Sequence, residues 1–151
     1  MKKILLSQGE FTIVDDCDYD YLMQWDWYCN GGYAKRGYPL VCMHRVVLQR
    51  MGFRNFTKSD HINRDKLDNR RCNLRPVTYS QNNCNRAKSK NNASGYKGVY
   101  WHKLVKKWCA QIRVNEKQLH IEYYNDKLKA ARAYNKMALK YRGNFAVPNK
   151  V

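Results

Sequence analysis

The chain has 151 residues, enough for one ordinary domain or two small ones. Its formal net charge of +17, with a pI near 9.8, attracts polyanions and works against self-association. Six cysteines without a Cys-x-x-Cys pair argue against a zinc ribbon and read as reduced cytosolic thiols. Lys2-Lys3 is followed by too short an apolar run for a secretory signal, and no run approaches membrane-spanning length.

Residues 1–43 read as β-rich. Ile4–Leu6 and Phe11–Val14 are short apolar runs, and 16–25 fits a short helix with Tyr21, Leu22 and Trp25 on one face. Trp27–Cys29 and Tyr33–Lys35, joined through Asn30-Gly31-Gly32, have the pattern of a hairpin, and 38–43 that of a further strand. The many aromatics of this segment fit a core and sheet face better than a base-stacking platform. Apolar positions 47, 48 and 51 followed by Gly52 predict a helix over 44–51. His44 is then either a structural imidazole or a neighbour of a site.

The stretch 60–83, D-H-I-N-R-D-K-L-D-N-R-R-C-N-L-R-P-V-T-Y-S-Q-N-N, organises the rest. Its reading is strand, polar loop, strand (Leu74–Val77) and helix, with Thr78 and Gln81 spaced as a capping box. Successive strand residues face opposite ways, so Asp60 and His61 are expected to need a bend or bulge to serve one centre. The chemistry is that of phosphodiester cleavage. A neutral His takes a proton from water, a divalent ion held by oxygen ligands stabilises the developing charge, and either Arg75 or Arg71 adds positive charge.

This order of residues resembles the ββα-metal (His-Me finger) site of HNH nucleases, most closely the phage and intron homing endonucleases. The resemblance implies His61 as general base, Asn73 as the residue that ties the loop together, and Asp60 with Asn82 as ligands of Mg²⁺ or Mn²⁺. The third member of the pattern is Asn rather than His, which suits a hard metal. Arg64-Asp65 stands where relatives carry a tight Asp-Gly turn.

Charge is distributed unevenly. Nine of the 12 acids lie in residues 1–68, and from Asn69 through Asn115 there is none, while Lys and Arg continue throughout. That half presents a positive surface suited to nucleic acid. Residues 87–94, A-K-S-K-N-N-A-S, lack bulky apolar side chains and read as linker, with Lys88 and Lys90 either following a phosphate backbone or simply solvated.

Beyond Gly95, the runs 96–101, 107–114 and 118–124 are strand-like. In the second, Trp108, Ala110 and Ile112 alternate with outward Gln111 and Arg113. Asn125-Asp126 caps a helix over 127–142 that Gly143 ends, with an apolar stripe of Ala130, Ala131, Tyr134, Met137, Ala138 and Tyr141. Tyr96-Lys97-Gly98-Val99, the segment 107–113, Ala130–Asn135 and Arg142–Asn149 resemble the Apetala-type (ethylene-response-factor) DNA-binding domain, whose sheet enters the major groove. The resemblance implies that Lys97, Tyr100, His102, Gln111, Arg113, Gln118 and His120 meet DNA, with Arg75 contributing from the first domain. Arg113 and Gln111 are suited to guanine and adenine edges.

The expected fold class is therefore α+β: a ββα-metal nuclease domain over 1–87 (motif about 58–87), a linker over 88–94, and a three-stranded antiparallel sheet on one helix over 95–149. The combination resembles free-standing phage homing endonucleases. A single active site on one chain, with no visible dimer seam and no membrane span, is expected to act as a monomer without a protein partner that nicks double-stranded DNA, in the cytoplasm of a bacterial host if phage-encoded. A non-enzymatic DNA-binding regulator that retains the nuclease fold is the alternative, and an RNA-binding basic protein a third.

Overall fold

Alternation of inward and outward side chains builds the first element pair. Strands β1 (Lys2–Leu5) and β2 (Phe11–Val14) pair antiparallel, with Lys2 opposite Val14 and Leu5 opposite Phe11. Ile4, Thr12 and Val14 point inward, while Leu5 and Phe11 stay exposed. The computed structural model describes residues 1–86, 88, 89 and 91–151. Its chain forms two units, Met1–Asn82 and Asn83–Val151. Ala87, the expected end of the nuclease segment, and Lys90 of the expected linker lie outside the described residues.

Helix α1 (Asp16–Leu22) stops before Trp25, earlier than the pattern of apolar residues predicts. The Leu22 carbonyl is claimed from just beyond the helix. The Trp27 indole Nε1, five residues on, donates to the Leu22 carbonyl at 2.8 Å and satisfies an oxygen that the helix end leaves open. Trp25 instead lies against the Arg36 guanidinium, 3.9 Å from its ring centroid.

Strands β3 (Tyr28–Asn30), β4 (Tyr33–Arg36) and β5 (Val41–Cys42) form a small antiparallel sheet in that order. Gly31 and Gly32, at φ 62° and 78°, turn its hairpin, as the sequence suggests. The strand expected over 38–43 shrinks to two residues, because Pro39 offers no N–H to a ladder and Met43 already starts helix α2 (Met43–Arg50). Helix α2 buries Met43, Val46, Val47 and Leu48 against Ile4, Leu22 and Trp27. Gly52 follows at φ 95°.

Strands β6 (Lys58–His61) and β7 (Leu74–Val77) pair antiparallel, and helix α3 (Tyr79–Cys84) follows. The capping box forms at its start: the Thr78 N–H donates to Gln81 Oε1 at 2.8 Å, and the Gln81 N–H donates to Thr78 Oγ1 at 3.3 Å.

The second unit holds strands β8 (Val99–His102), β9 (Lys107–Val114) and β10 (Lys117–Tyr124), with β9 central, packed on helix α4 (Lys127–Arg142). Asp126 caps α4 by accepting from the Leu128 and Lys129 N–H groups. Ala130, Ala131, Tyr134 and Ala138 are buried against Val99, Ala110 and Ile112, whereas Tyr141 is exposed. The first strand starts at Val99 rather than Tyr96. The three residues before it form a turn, in which Ser94 Oγ donates toward the Tyr96 and Val99 carbonyls. Gly98, at φ 74°, has no room for a side chain: a Cβ would collide with the Tyr134 ring and lie 2.6 Å from the Gln111 carbonyl oxygen. Asn149 closes the unit. Its side chain bonds both the N–H and C=O of Lys97, and its own backbone bonds the Asn135 amide. Among the described residues no helix is long and apolar enough to cross a membrane.

Candidate active site and nucleic-acid face

The register of β6 and β7 sets Asp60 opposite Arg75 and His61 opposite Leu74. The pairing runs regularly through His61, without the bulge that the adjacent Asp-His pair suggested. The strand ends there. The Arg64 N–H closes a turn onto the His61 carbonyl at 2.9 Å, and Arg64 takes a left-handed φ of 69° where a Gly would be unstrained.

Both side chains of the pair are only 6% exposed. Asp60 Oδ2 accepts from Arg75 Nη2 at 2.8 Å and from Nε at 3.1 Å, a charge-assisted pair. His61 Nε2 lies 3.2 Å from Asn69 Oδ1. Burial pushes the His61 pKa below 6.5, while its hydrogen bond to Asn69 and the charges of Asp60, Asp65 and Asp68 pull the other way. The imidazole is therefore neutral near pH 7, the form a general base needs.

Two aromatic rings adjoin it. His44 stands 5.2 Å from His61 between ring centroids, and Tyr33 stands 5.9 Å from His61 and 5.4 Å from His44. Burial, then the charges of His61, Arg45 and Lys35, push the His44 pKa down to about 3, so this second imidazole is neutral too. Lys66 Nζ sits over the Tyr33 ring at 4.4 Å, bringing a cation to the edge of the cluster.

The loop between β6 and β7 is held by its own polar side chains. Asn73 Oδ1 accepts from the Asn63 N–H at 2.9 Å, and its Nδ2 donates to the Asp68 carbonyl at 2.8 Å. Asp68 takes a two-pronged bond from Arg70 and a third from Asn63 Nδ2. The loop also lies alongside β2, where the Ile13 N–H donates to the Leu67 carbonyl and the Asn69 N–H to the Ile13 carbonyl.

The sequence left Arg71 and Arg75 as alternatives for added charge, and the structure separates them. Arg71 donates through Nε and Nη2 to the buried Asp18, which Arg50 also bonds, while Arg75 lies on Asp60. Asn82 lies on α3, half-buried, with its N–H donated to the Thr78 carbonyl. The described residues contain no cluster of three or more His, Cys, Asp or Glu side chains placed to hold a metal. One buried carboxylate and one carboxamide nevertheless suit an ion of the Mg²⁺ type, which keeps waters and takes substrate phosphate oxygens as further ligands.

On the second unit, one sheet face gathers most of the expected DNA contacts. Gln111 pairs across to His120 and Arg113 to Gln118. His102 and His120 flank the Tyr123 ring at 5.4 and 4.4 Å, and Tyr100 adjoins His102. Tyr100 and Tyr123 stand on either side of Cys109 in the ladder, and Cys109 is fully buried although it belongs to the outward register. Its hydrogen bond, followed by burial, pushes the Tyr100 phenol up to about 12. Lys97 is turned elsewhere, donating to the Cys84 and Arg86 carbonyls.

Sequence reasoning missed Asn69, Thr12 and Tyr33. Asn69 stood in view within Asp-Asn-Arg, where a buried amide beside a loop turn was a readable option. Thr12 carried no local signal, because it meets the loop across 57 residues.

No family model matches the chain. It is similar to an uncharacterized HNH endonuclease of Acanthamoeba polyphaga mimivirus, with 29% identity over 155 residues that cover 96% of this chain and 78% of the relative. A match of that reach spans both units and supports an HNH-type nuclease. The mixed α and β architecture with small antiparallel sheets is compatible with such an enzyme.

Proposed function

We propose that the chain is an HNH-type DNA endonuclease of the homing kind that nicks one strand of duplex DNA. The observation that carries this reading is a buried His61 beside Asp60 on a strand–loop–strand–helix unit, its ring bonded to Asn69. In this reading His61 takes the proton from the attacking water. Asp60 and Asn82 would hold a Mg²⁺ or Mn²⁺ ion, whose bound charge supplies stabilisation of the phosphorane-like transition state and the leaving oxygen. Arg75, paired with Asp60, would add positive charge beside the phosphate. Asn73 keeps the loop in shape. The sheet face with Tyr100, His102, Gln111, Arg113, Gln118 and His120 binds double-stranded DNA and sets register, with Lys97 bracing the turn that leads into it.

The Arg75–Asp60 ion pair favours a second reading, a DNA-binding regulator in which the guanidinium permanently replaces the metal. Supercoiled plasmid carrying the native locus separates the two. Incubation with Mg²⁺ should give open circles that vanish with EDTA and with His61→Ala, while the variant keeps its gel-shift affinity. Tight binding without cutting under every divalent ion would leave the regulator.

A further inference from the structure

Three polar side chains behind the candidate base form a chain of fixed direction. Thr12 Oγ1 lies 2.7 Å from the Leu67 carbonyl oxygen. Two oxygens so close need a proton between them, and only the hydroxyl has one. The single Thr12 proton is therefore committed to Leu67 rather than to the Met43 sulfur, which lies 3.8 Å away and is a weak acceptor, and toward its other close neighbour Oγ1 acts as acceptor. That neighbour, at 2.7 Å, is Asn69, which must present its NH₂. A flipped Asn69 would set its own carbonyl oxygen against an Oγ1 with no proton left to share. With Nδ2 turned to Thr12, Asn69 Oδ1 faces His61 Nε2, and an acceptor there requires that Nε2 carry the hydrogen. Thr12 is 0% and Asn69 1% exposed, so water has no access to reverse these roles.

We infer that Thr12 and Asn69 are positioning residues that lock His61 in the Nε2–H tautomer and thereby make Nδ1 the nitrogen that receives a proton. The tautomer follows from the geometry alone, and its catalytic consequence rests on the nuclease reading. Neither residue touches the reacting atoms. They act through the ring, and the direction of the whole chain is set by one backbone carbonyl.

The test is an imidazole ¹H–¹⁵N long-range spectrum of the full-length, metal-free protein near neutral pH. The chain has four histidines, and His61→Gln identifies the signal of interest. Wild type should show His61 protonated at Nε2. Thr12→Ser keeps the hydroxyl and should keep that tautomer. Thr12→Val, nearly the same shape, removes the hydroxyl and frees the Asn69 amide to turn over, so His61 should show both tautomers while the backbone amide spectrum stays folded. Single-turnover nicking by Thr12→Val should drop by about tenfold to a hundredfold, the usual scale for a lost orienting partner. An Nδ1–H tautomer in wild type, or an unchanged tautomer in folded Thr12→Val, overturns the relay. The expected tautomer pattern in a protein that cuts no DNA upholds the relay and overturns the nuclease reading instead.

Discussion

Replacing Asp18 with Asn tests what anchors the candidate loop to the rest of its unit. Asp18 is fully buried and accepts three charge-assisted hydrogen bonds, from Arg50 Nε at 2.7 Å and from Arg71 Nε and Nη2 at 2.7 and 2.8 Å. Removing one member of a buried ion pair costs about 3–5 kcal/mol. The two arginine side chains are 30% and 35% exposed, so water screens part of that loss, and about 2–4 kcal/mol is expected for Asp18→Asn. The loss should depend on pH in a defined sense. Burial pushes the Asp18 carboxyl up, but the hydrogen bonds and charges of Arg71 and Arg50 together outweigh it and hold its pKa below 3.8. A depressed folded-state pKa means that the stabilisation is complete above 3.8 and fades as pH falls through the folded value. Urea unfolding of wild type and Asp18→Asn, followed through amide signals of Met1–Asn82, should show the full gap at pH 6 and a shrinking gap below pH 3.8. A gap under about 1 kcal/mol at pH 6, or one that persists undiminished into strong acid, would refute the reasoning.

Asn73→Ala leaves the buried Asp68 carbonyl without its side-chain donor and the Asn63 N–H without its acceptor. A loss of about 2–3 kcal/mol and faster hydrogen exchange at Asn63 are expected, with exchange at the second unit unchanged. Gly98→Ala puts a methyl group against the Tyr134 ring and the Gln111 carbonyl at a left-handed φ. It should destabilise Asn83–Val151 by about 3 kcal/mol or more and weaken DNA binding, read by amide-resolved denaturation and gel shift.

Local signals in the chain were read correctly where the interaction is itself local. Thr78 and Gln81 are three residues apart and their capping box forms. Asp126 and Gly143 bracket α4 at the bounds their chemistry suggests. The hairpin at Gly31-Gly32 likewise needs only its own φ angles. What escaped was set at a distance. Arg71 is claimed by Asp18 across 53 residues, and Asn69 meets Thr12 across 57. At the candidate site, the strand, loop and helix around Asp60 and His61 were legible because their polar residues follow one another in sequence. The tautomer of His61 was not, because the proton inventory that decides it includes a hydroxyl on β2.

The bonds between β2 and the loop at Leu67–Asn69 bear on how such a site can be moved into a designed scaffold. A graft of residues 58–84 alone would carry the letters of the signature but leave behind the strand against which the loop is laid and the threonine that orients its amide. The supports of the site belong to Met1–Asn82 as a whole. A joint between the opening hairpin and Asp60 would part the loop from its support, whereas a joint beyond Cys84, where α3 ends, would not.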